Sequence, residues 1–281
     1  MRKACVDIGS NTTRLLVADV EAGTVSEVRA ERAFTRLVPG RPLTEAKCRE
    51  VAALVAAQVA RARGDGAQVV RVVGTAAVRD APNGAALCDA VSEACGLPVE
   101  VLGTAEEARL AFAGATAGLA PRPTGVIDVG GGSSELVVGT PGTDASWWAS
   151  VPVGSGVLAI AHLHGDPPGA SELAALRDAA RSAFGTLSPP RPDLAVAVGG
   201  SATSLARLCG PVLDSATLDA ALEVVTAAPA EDIARLNDLH VERVRLMPAG
   251  LVLLAEAARV FDAPLAVAVG GLREGVLLQE H

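Results

Sequence analysis

Short apolar runs that end in glycine or hydroxyl residues recur along the chain, and amphipathic stretches separate them. Apolar runs bounded by such turn residues predict strands, whereas apolar positions spaced three and four apart predict helices. The predicted strands cover residues 4–9, 15–20, 25–32, 69–73, 99–102, 126–129, 136–138, 147–153, 194–198 and 266–269. The predicted helices cover residues 44–63, 84–94, 104–117, 171–187, 218–226, 230–236, 248–260 and about 272–281, with one more after Gly199. This alternation predicts an α/β fold.

The two halves of the chain repeat one pattern. Asp7-Ile8-Gly9-Ser10 and Asp128-Val129-Gly130-Gly131 each end a predicted strand and begin a turn, at a separation of 121 residues (128 − 7 = 121). Pro121-Arg122-Pro123 is the best candidate for a linker. We therefore predict two α/β domains related by duplication, residues 1–120 and 121–281, with a ligand in the cleft between them.

The segment from Thr124 to Gly139 combines an apolar strand with three glycines and two serines, TGVIDVGGGSSELVVG. Consecutive Gly and Ser residues leave backbone N–H groups available to one concavity, which suits an anion. Asp128 at the mouth of this loop would repel an anion unless a cation lies between the two. The segment therefore predicts a phosphate and metal loop. A glycine-rich hairpin turn without a ligand is the alternative.

The composition restricts the class of protein. Apolar residues make up 50% of the chain and aromatic residues 2%, so the core must consist of Ala, Val and Leu. A net charge of −8 argues against a general nucleic-acid or anionic-membrane surface. The N-terminus has no signal-peptide pattern, no apolar run reaches the length of a membrane span, and the five cysteines form no CxxC pair. A reduced cytoplasmic protein without a zinc site is the expectation.

Six motifs resemble, in order and spacing, those of the exopolyphosphatase/guanosine-pentaphosphate phosphohydrolase (Ppx/GppA) family: DIGSNTTRLLV, GTAAVRDAPN, GTAEEARLAF, VIDVGGGSSELVVG, VGGSATSLA and GLREGVLL. The resemblance runs from residue 4 to about residue 279. It implies two ribonuclease-H-like domains of the actin, heat-shock chaperone and sugar-kinase superfamily, with an interdomain cleft. It also implies Mg²⁺-dependent hydrolysis of a terminal phosphoanhydride, a homodimer, and a final helix that packs back on the first domain. A monovalent cation such as K⁺ is an additional cofactor that stays open.

The resemblance also assigns roles to residues. Asp7 and Asp128 are the expected metal ligands. The expected phosphate ligands share backbone N–H groups, hydroxyls or guanidinium groups, and they are Gly9, Ser10, Asn11, Thr12, Thr13, Arg14, Thr75, Arg79, Gly130, Gly131, Gly132, Ser133, Ser134, Gly199, Gly200 and Ser201. Arg79 resembles a bidentate phosphate ligand, and a surface arginine paired with Asp80 is the alternative. For Gly199-Gly200-Ser201, a ligand contact and simple helix–strand packing stay open.

Glu107 is the expected catalytic base. The family's EEAR motif places its catalytic carboxylate immediately before Ala108-Arg109, where it would deprotonate water for in-line attack. Thr104 and Glu107 also have the spacing of a capping box, so a role as a helix cap is the alternative. Glu135 is expected to help orient the water and is the other candidate base.

The leading expected function is therefore release of the terminal phosphate from inorganic polyphosphate. Short chains are favoured because the sequence leaves no room for an appended domain after His281. The close alternative is hydrolysis of guanosine pentaphosphate to the tetraphosphate. An ATP-dependent kinase or ATPase and a non-catalytic polyphosphate sensor are the further alternatives.

Overall fold

The computed structural model describes residues 1–143 and 145–279. Its strands are β1 (Arg2–Ile8), β2 (Thr12–Glu21), β3 (Thr24–Phe34), β4 (Val69–Gly74), β5 (Val99–Val101), β6 (Thr124–Val129), β7 (Ser134–Gly139), β8 (Ala145–Val151), β9 (Leu194–Val198), β10 (Val212–Leu213) and β11 (Leu265–Val267). Its helices are α1 (Glu45–Gly64), α2 (Ala76–Arg79), α3 (Gly84–Cys95), α4 (Thr104–Thr116), α5 (Ser155–His162), α6 (Ala170–Phe184), α7 (Gly199–Cys209), α8 (Ser215–Thr226), α9 (Ala230–Leu236), α10 (Val241–Val244), α11 (Met247–Phe261) and α12 (Leu272–Leu278).

The chain divides into two compact units. Unit 1 contains Met1–Leu119 and the segment from Gly270 onward, and unit 2 contains Ala120–Val269. The last helix, α12, thus belongs to unit 1. Positions 280 and 281, which the sequence assigns to this helix, lie outside the described residues.

Unit 1 contains a mixed sheet with the strand order β3-β2-β1-β4-β5. Strands β1, β2 and β3 are antiparallel neighbours, whereas β4 lies parallel to β1 and β5 lies parallel to β4. The carboxyl ends of β1, β4 and β5 therefore meet at one edge of the sheet. In open α/β sheets, ligands bind at this edge.

Side-chain alternation along β1 explains the two apolar cores of unit 1. Ala4, Val6 and Ile8 belong to one core with residues of α1 and α3, whereas Cys5 belongs to a second core with residues of α4 and α12. Successive strand residues point to opposite faces, so the sheet is covered by helices on both sides.

Helices α4 and α12 touch through their backbones. A Cβ atom at Gly275 would lie 1.9 Å from the carbonyl oxygen of Leu110, and one at Gly114 would lie 2.0 Å from that of Gly271. Only glycine fits at such distances. Lys3 Nζ then donates to the carbonyl oxygens of Leu277 and Gln279, both at 3.0 Å, so that the end of the chain is bound to β1.

Unit 2 repeats the strand order of unit 1. Its sheet has the order β10-β11-β9-β6-β7-β8, in which β6, β7 and β8 are antiparallel and β6, β9 and β11 are parallel. The short strand β10 is an addition at the edge, antiparallel to β11. The fold is therefore the predicted one: two α/β units of ribonuclease-H-like strand order.

The predicted elements are largely confirmed, and the differences are local. Thr44 caps α1 as expected, since its side chain accepts the N–H of Lys47. The predicted strand at 147–153 is shifted to Ala145–Val151, and the short elements α2, α5, α10 and β10 were not predicted. Among the described residues, no helix combines the length and the apolar character that crossing a membrane requires.

Candidate functional site

Two hairpins of matching geometry lie at the ends of β1 and β6. In unit 1 the N–H of Gly9 donates to the carbonyl oxygen of Thr12 at 3.1 Å, and in unit 2 the N–H of Gly130 donates to that of Ser133 at 2.9 Å. Both pairs are separated by 121 residues (130 − 9 = 121 and 133 − 12 = 121). The repeat seen in the sequence thus extends to the hydrogen bonds of the turns.

The residues that face each other across the hairpins differ in charge. Asp7 lies opposite Arg14 in unit 1, whereas Asp128 lies opposite Glu135 in unit 2. Directly opposed residues of an antiparallel pair have their side chains on the same face, with Cβ atoms roughly 5 Å apart. Unit 1 therefore places a carboxylate beside a guanidinium group, and unit 2 places two carboxylates together.

The first N–H groups of helix α5 donate to carbonyl groups of the glycine loop of unit 2. The N–H of Ser155 donates to Gly130 at 2.9 Å, and the N–H groups of Gly156 and Val157 donate to Gly131 at 3.0 Å. The N–H groups of Gly131 and Gly132 donate to no acceptor among the described residues. A loop with its carbonyl groups engaged and its N–H groups available is suited to bind an anion.

Gly199 lies against the carboxylate of Asp128. A Cβ atom at Gly199 would be 2.3 Å from Asp128 Oδ1, and the residue has φ +82°, which favours glycine. Ser201, one turn into α7, packs on Gly250 of α11, where a Cβ atom would be 3.1 Å from Ser201 Oγ. Packing therefore accounts for Gly199 and Ser201, and a ligand contact of Gly199, Gly200 or Ser201 stays a prediction.

Two of the predicted phosphate ligands have buried side chains. Thr13 and Ser134, again 121 residues apart (134 − 13 = 121), are both 0% exposed. The hydroxyl of Ser134 donates to the carbonyl oxygen of Val153 at 2.8 Å, and Thr13 Oγ1 lies 3.5 Å from Thr35 Oγ1. Because side chains alternate along a strand, these two hydroxyls point away from Thr12, Arg14, Ser133 and Glu135 and into the sheet interior. Their burial gives both residues a structural role, and a phosphate contact of either one stays a prediction.

In unit 1, Thr75 lies beside the first hairpin. Its N–H donates to the carbonyl oxygen of Ile8 at 3.3 Å, and the N–H of Leu102 donates to that of Gly74 at 2.9 Å. These bonds extend the sheet beyond the ends of β4 and β5. The Gly9–Arg14 turn, Thr75, α2 and the start of α4 consequently lie at the same edge of the sheet.

Arg79, the last residue of α2, contacts Glu107 at this edge of the sheet. Its Nη1 atom donates to Glu107 Oε2 at 2.7 Å and to the carbonyl oxygen of Leu102 at 3.0 Å, and its Nε donates to Asp80 Oδ1 at 3.2 Å. Burial disfavours the charged guanidinium, but the hydrogen bond and the charge of Glu107 outweigh burial and raise the pKa of Arg79. The contact with Asp80, the alternative read from the sequence, exists beside the contact with Glu107.

Glu107 does not cap its helix. The N-cap of α4 is Gly103, which has no side chain to form a cap, and Thr104 is already helical. The carboxylate of Glu107 is 10% exposed and accepts a hydrogen bond from Arg79. The capping-box alternative is therefore wrong. Glu106 is the solvent-facing neighbour, 39% exposed, and its hydrogen bond with Arg109 lowers its pKa.

Glu135 is held in a second buried position. Its side chain is on β7, only 4% of the residue is exposed, and Ser150 Oγ on β8 donates to Oε1 at 2.9 Å. This contact fixes the carboxylate on the face that it shares with Asp128. The contact of Ser150 with Glu135 was not predicted, because the donor lies on a neighbouring strand 15 residues away.

The carboxylates at the two hairpins are the type of donor that a magnesium ion takes, and Mg²⁺ itself stays a prediction. Among the described residues no group of three or more His, Cys, Asp or Glu side chains is placed to hold a metal ion. Mg²⁺ is commonly held by one or two carboxylates together with water and substrate phosphates. Asp7 in unit 1, and Asp128 with Glu135 in unit 2, supply such hard oxygen donors.

Comparisons with known proteins identify the family of the chain. The sequence matches the Ppx/GppA phosphatase family over residues 16–281. It is 32% identical to exopolyphosphatase 2 of Mycobacterium tuberculosis, over 92% of this chain and 90% of the relative. It is 26% identical to a guanosine-5'-triphosphate,3'-diphosphate pyrophosphatase of Photobacterium profundum, over 98% of this chain and 58% of the relative.

A solved structure has the same fold. The Aquifex aeolicus PPX-GPPA enzyme superposes with a TM-score of 0.81 at 27% identity, covering 100% of this chain and 99% of the other. With the family match spanning most of the sequence, the chain belongs to the Ppx/GppA phosphatase family.

Proposed function

We propose that the protein is an exopolyphosphatase that releases the terminal phosphate of inorganic polyphosphate. The observation that carries the proposal is the pairing of Glu107 with Arg79 at the carboxyl edge of the unit 1 sheet. A buried carboxylate and a guanidinium group at that edge supply a proton acceptor and a phosphate ligand side by side. General hydrolase activity follows from the family, whereas the choice of polyphosphate is our proposal.

The residues of unit 1 would divide the chemistry among them. The turn from Gly9 to Thr12 and the guanidinium of Arg79 would bind oxygens of the terminal phosphate. Glu107 would take a proton from a water molecule as the water oxygen attacks phosphorus in line. The bond from phosphorus to the bridging oxygen breaks, that oxygen leaves on the shortened chain, and inorganic phosphate is released.

The residues of unit 2 would add phosphate-binding groups and oxygen donors. The N–H groups of Gly131 and Gly132 are suited to phosphate oxygens, and Glu135 would orient water. Asp7 and Asp128 would hold Mg²⁺, which neutralises phosphate charge when it is bound.

Relatives named for either substrate match the chain, so they support the family and leave the choice of polyphosphate as our proposal. The relative named exopolyphosphatase 2 matches over 90% of its own length, whereas the relative named a pyrophosphatase matches over 58% of its length. The pyrophosphatase therefore contains a large part that this chain does not match.

Release of phosphate from each substrate tests the proposal. The purified protein is incubated with Mg²⁺ and, in separate reactions, with tripolyphosphate, long-chain polyphosphate and guanosine pentaphosphate. We expect phosphate release from polyphosphate at a kcat/KM at least about tenfold above that for the nucleotide, which corresponds to about 1.4 kcal/mol of transition-state preference. Turnover of the nucleotide without turnover of polyphosphate would overturn the proposal.

A further inference from the structure

Arg79 and Glu107 form an ion pair with each other. In the proposed reaction, however, Arg79 must bind phosphate and Glu107 must accept a proton from water. Nη1 of Arg79 and Oε2 of Glu107 are 2.7 Å apart, and the side chains are 19% and 10% exposed. A carboxylate held by a guanidinium group stays ionised, but it is a weaker proton acceptor than an unpaired one. In the substrate-free protein the carboxylate of Glu107 is thus held by Arg79.

The guanidinium of Arg79 has one open side. Nε and Nη1 are engaged with Asp80, Leu102 and Glu107, whereas Nη2 donates to no acceptor among the described residues. A phosphate that binds arginine through two N–H groups uses Nη2 together with one neighbouring nitrogen. Binding through the edge of Nη1 and Nη2 therefore competes with Glu107, and binding through the edge of Nε and Nη2 competes with Asp80.

The surroundings favour the edge beside Glu107. Asp80 is 47% exposed, so water screens its contact with Arg79, and Glu107 lies on the buried side with the carbonyl oxygen of Leu102. Charge-assisted hydrogen bonds are stronger where water is excluded. A terminal phosphate on that side also brings negative charge next to Glu107, and the repulsion weakens the hold of Arg79 on the carboxylate.

We propose that Arg79 holds the carboxylate of Glu107 in the substrate-free protein, and that its guanidinium group moves to the terminal phosphate when the phosphate binds. Glu107 is then released to act as the base only when the phosphate is bound. We call this exchange of partners by Arg79 the latch. The inference rests on the proposed function, since it takes the arriving group to be a phosphate. Arg79 is then a positioning residue for the base as well as a phosphate ligand. By linkage, phosphate must loosen Glu107 as much as Glu107 weakens phosphate binding.

Binding of methylenediphosphonate, a phosphate pair without a hydrolysable bridging oxygen, tests the latch by calorimetry. The proteins compared are the wild type, Glu107→Gln, Arg79→Gln and the double variant. We expect Glu107→Gln to tighten binding at least about fivefold when Arg79 is present and by less than about twofold when it is replaced, because coupled groups in one network are not additive. Equal tightening in both backgrounds would mean charge repulsion alone and would overturn the latch.

Two controls isolate the Glu107 side of the guanidinium. Asp80→Asn removes the other carboxylate on Arg79, and Glu106→Gln removes the adjacent carboxylate, which pairs with Arg109. We expect both to change binding by less than about twofold. Tightening by Asp80→Asn as large as that by Glu107→Gln would also overturn the latch. Where Arg79→Gln binds too weakly to measure, Arg79→Lys is the second background, since lysine lacks the two-sided donor edge.

This outcome is independent of the reaction assigned to the protein. The binding cycle uses a ligand that is not hydrolysed, whereas the proposed function is judged by phosphate released from polyphosphate. An additive cycle in a protein that hydrolyses polyphosphate would reject the latch alone. A coupled cycle in a protein that hydrolyses no polyphosphate would reject the proposed reaction alone.

Discussion

At the scale of single residues, Asp128 and Gly199 depend on each other. Asp128, the last residue but one of β6, pairs with Val198, the last residue of the parallel strand β9, so that the residue after Val198 meets the carboxylate. Gly199 leaves room for the Asp128 side chain and adopts a positive φ that begins α7. A glycine that the sequence presents as part of a ligand loop thus has a direct structural reason to be there.

Replacement of Gly199 by alanine tests this dependence, with Gly210 at the other end of α7 as the control. Both residues have positive φ, +82° and +92°, a backbone region that favours glycine, so each alanine should cost about 1–3 kcal/mol of unfolding free energy. Gly210 has nothing within 4 Å of its added Cβ, whereas Gly199 has Asp128 Oδ1 at 2.3 Å. Denaturant unfolding should show a cost about 1–3 kcal/mol larger for Gly199→Ala than for Gly210→Ala. Equal costs would mean that the contact with Asp128 imposes no constraint.

Glu172 gives a prediction about pH. Its carboxylate accepts the N–H groups of Gly169, His164 and Gly165 at 2.7, 2.6 and 3.0 Å, and these backbone bonds lower its pKa. A lowered pKa in the folded state means that the stabilisation is complete above the unfolded pKa and is lost as the pH falls through the folded value. Glu172→Gln should therefore lower the melting temperature at pH 7, and the difference from wild type should shrink below about pH 4.3.

The matched control for this effect is Asp178→Asn, an exposed carboxylate on the same helix, α6. It removes one charge without removing the three backbone hydrogen bonds. Its melting temperature should follow that of the wild type across the pH range. A difference between Glu172→Gln and wild type that stays constant from pH 7 down to about pH 2 would contradict the role of the bonds to Glu172.

The sequence alone identified the candidate residues of the site, but it did not identify most of the contacts between them. The spacing of 121 residues between the hairpins predicted their equivalence, and the hydrogen bonds of Gly9 and Gly130 agree with it. Burial of Thr13 and Ser134 could have been inferred from strand alternation, since each directly follows a turn residue on the other face. The ion pair of Arg79 with Glu107 could not, because 28 residues of chain separate the partners.

At the scale of secondary-structure elements, α12 supports the helix that carries Glu107. It lies against α4 at Gly114 and Gly275, and Gln279 Nε2 donates to Glu106 Oε1 at 3.1 Å. The position of α4 therefore depends on a segment more than 150 residues later in the chain, since Glu106 and Gln279 are 173 positions apart. Helix α12 is seven residues long, so its stability comes from this packing and not from its own length.

Alanine at Gly275 should separate α12 from α4. The added Cβ would be 1.9 Å from the carbonyl oxygen of Leu110, which belongs to the backbone of α4 and has little freedom to move. We expect a loss of about 1–3 kcal/mol of unfolding free energy, measured by denaturant titration. Gly64→Ala in α1, where nothing lies within 4 Å, is the control and should be neutral or stabilising by up to about 1 kcal/mol. A Gly275→Ala protein as stable as the wild type would show that the close approach is not required.

The elements that were missed share a physical reason. Helix α2 has four residues, and α5 begins after Gly154 with no side-chain cap, so neither carries the signals of a helix start. Both are stabilised by bonds to distant parts of the chain, such as those from Ser155 and Gly156 to the glycine loop. Long helices with caps, such as α1, were predictable because their signals are local.

At the scale of the whole molecule, one fold plan is used twice with different chemistry. The sheets of both units share the order of their five principal strands, and each first hairpin has the same turn hydrogen bond. Unit 1 has gained the opposed pair of Asp7 and Arg14, whereas unit 2 has the pair of Asp128 and Glu135. Unit 1 also contains Glu107 and Arg79, the proposed base and the proposed phosphate ligand.

The net charge of −8 opposes binding of a polyanion, so binding must rely on local groups. In the proposed reaction, Arg14 and Arg79 of unit 1 and the N–H groups of Gly131 and Gly132 of unit 2 would supply these groups. Our central claim is that Glu107 is the base of the proposed reaction.

The most direct test of that claim is the initial rate of phosphate release from polyphosphate by Glu107→Gln beside Glu106→Gln. The two substitutions remove the same group from adjacent positions of α4, one buried against Arg79 and one facing solvent. Circular dichroism is used to verify that both variants are folded. We predict that kcat falls by about 10²- to 10⁴-fold for Glu107→Gln and by less than about twofold for Glu106→Gln. A Glu107→Gln protein that keeps the wild-type rate, or a Glu106→Gln protein that loses as much, would contradict the assignment of Glu107 as the base.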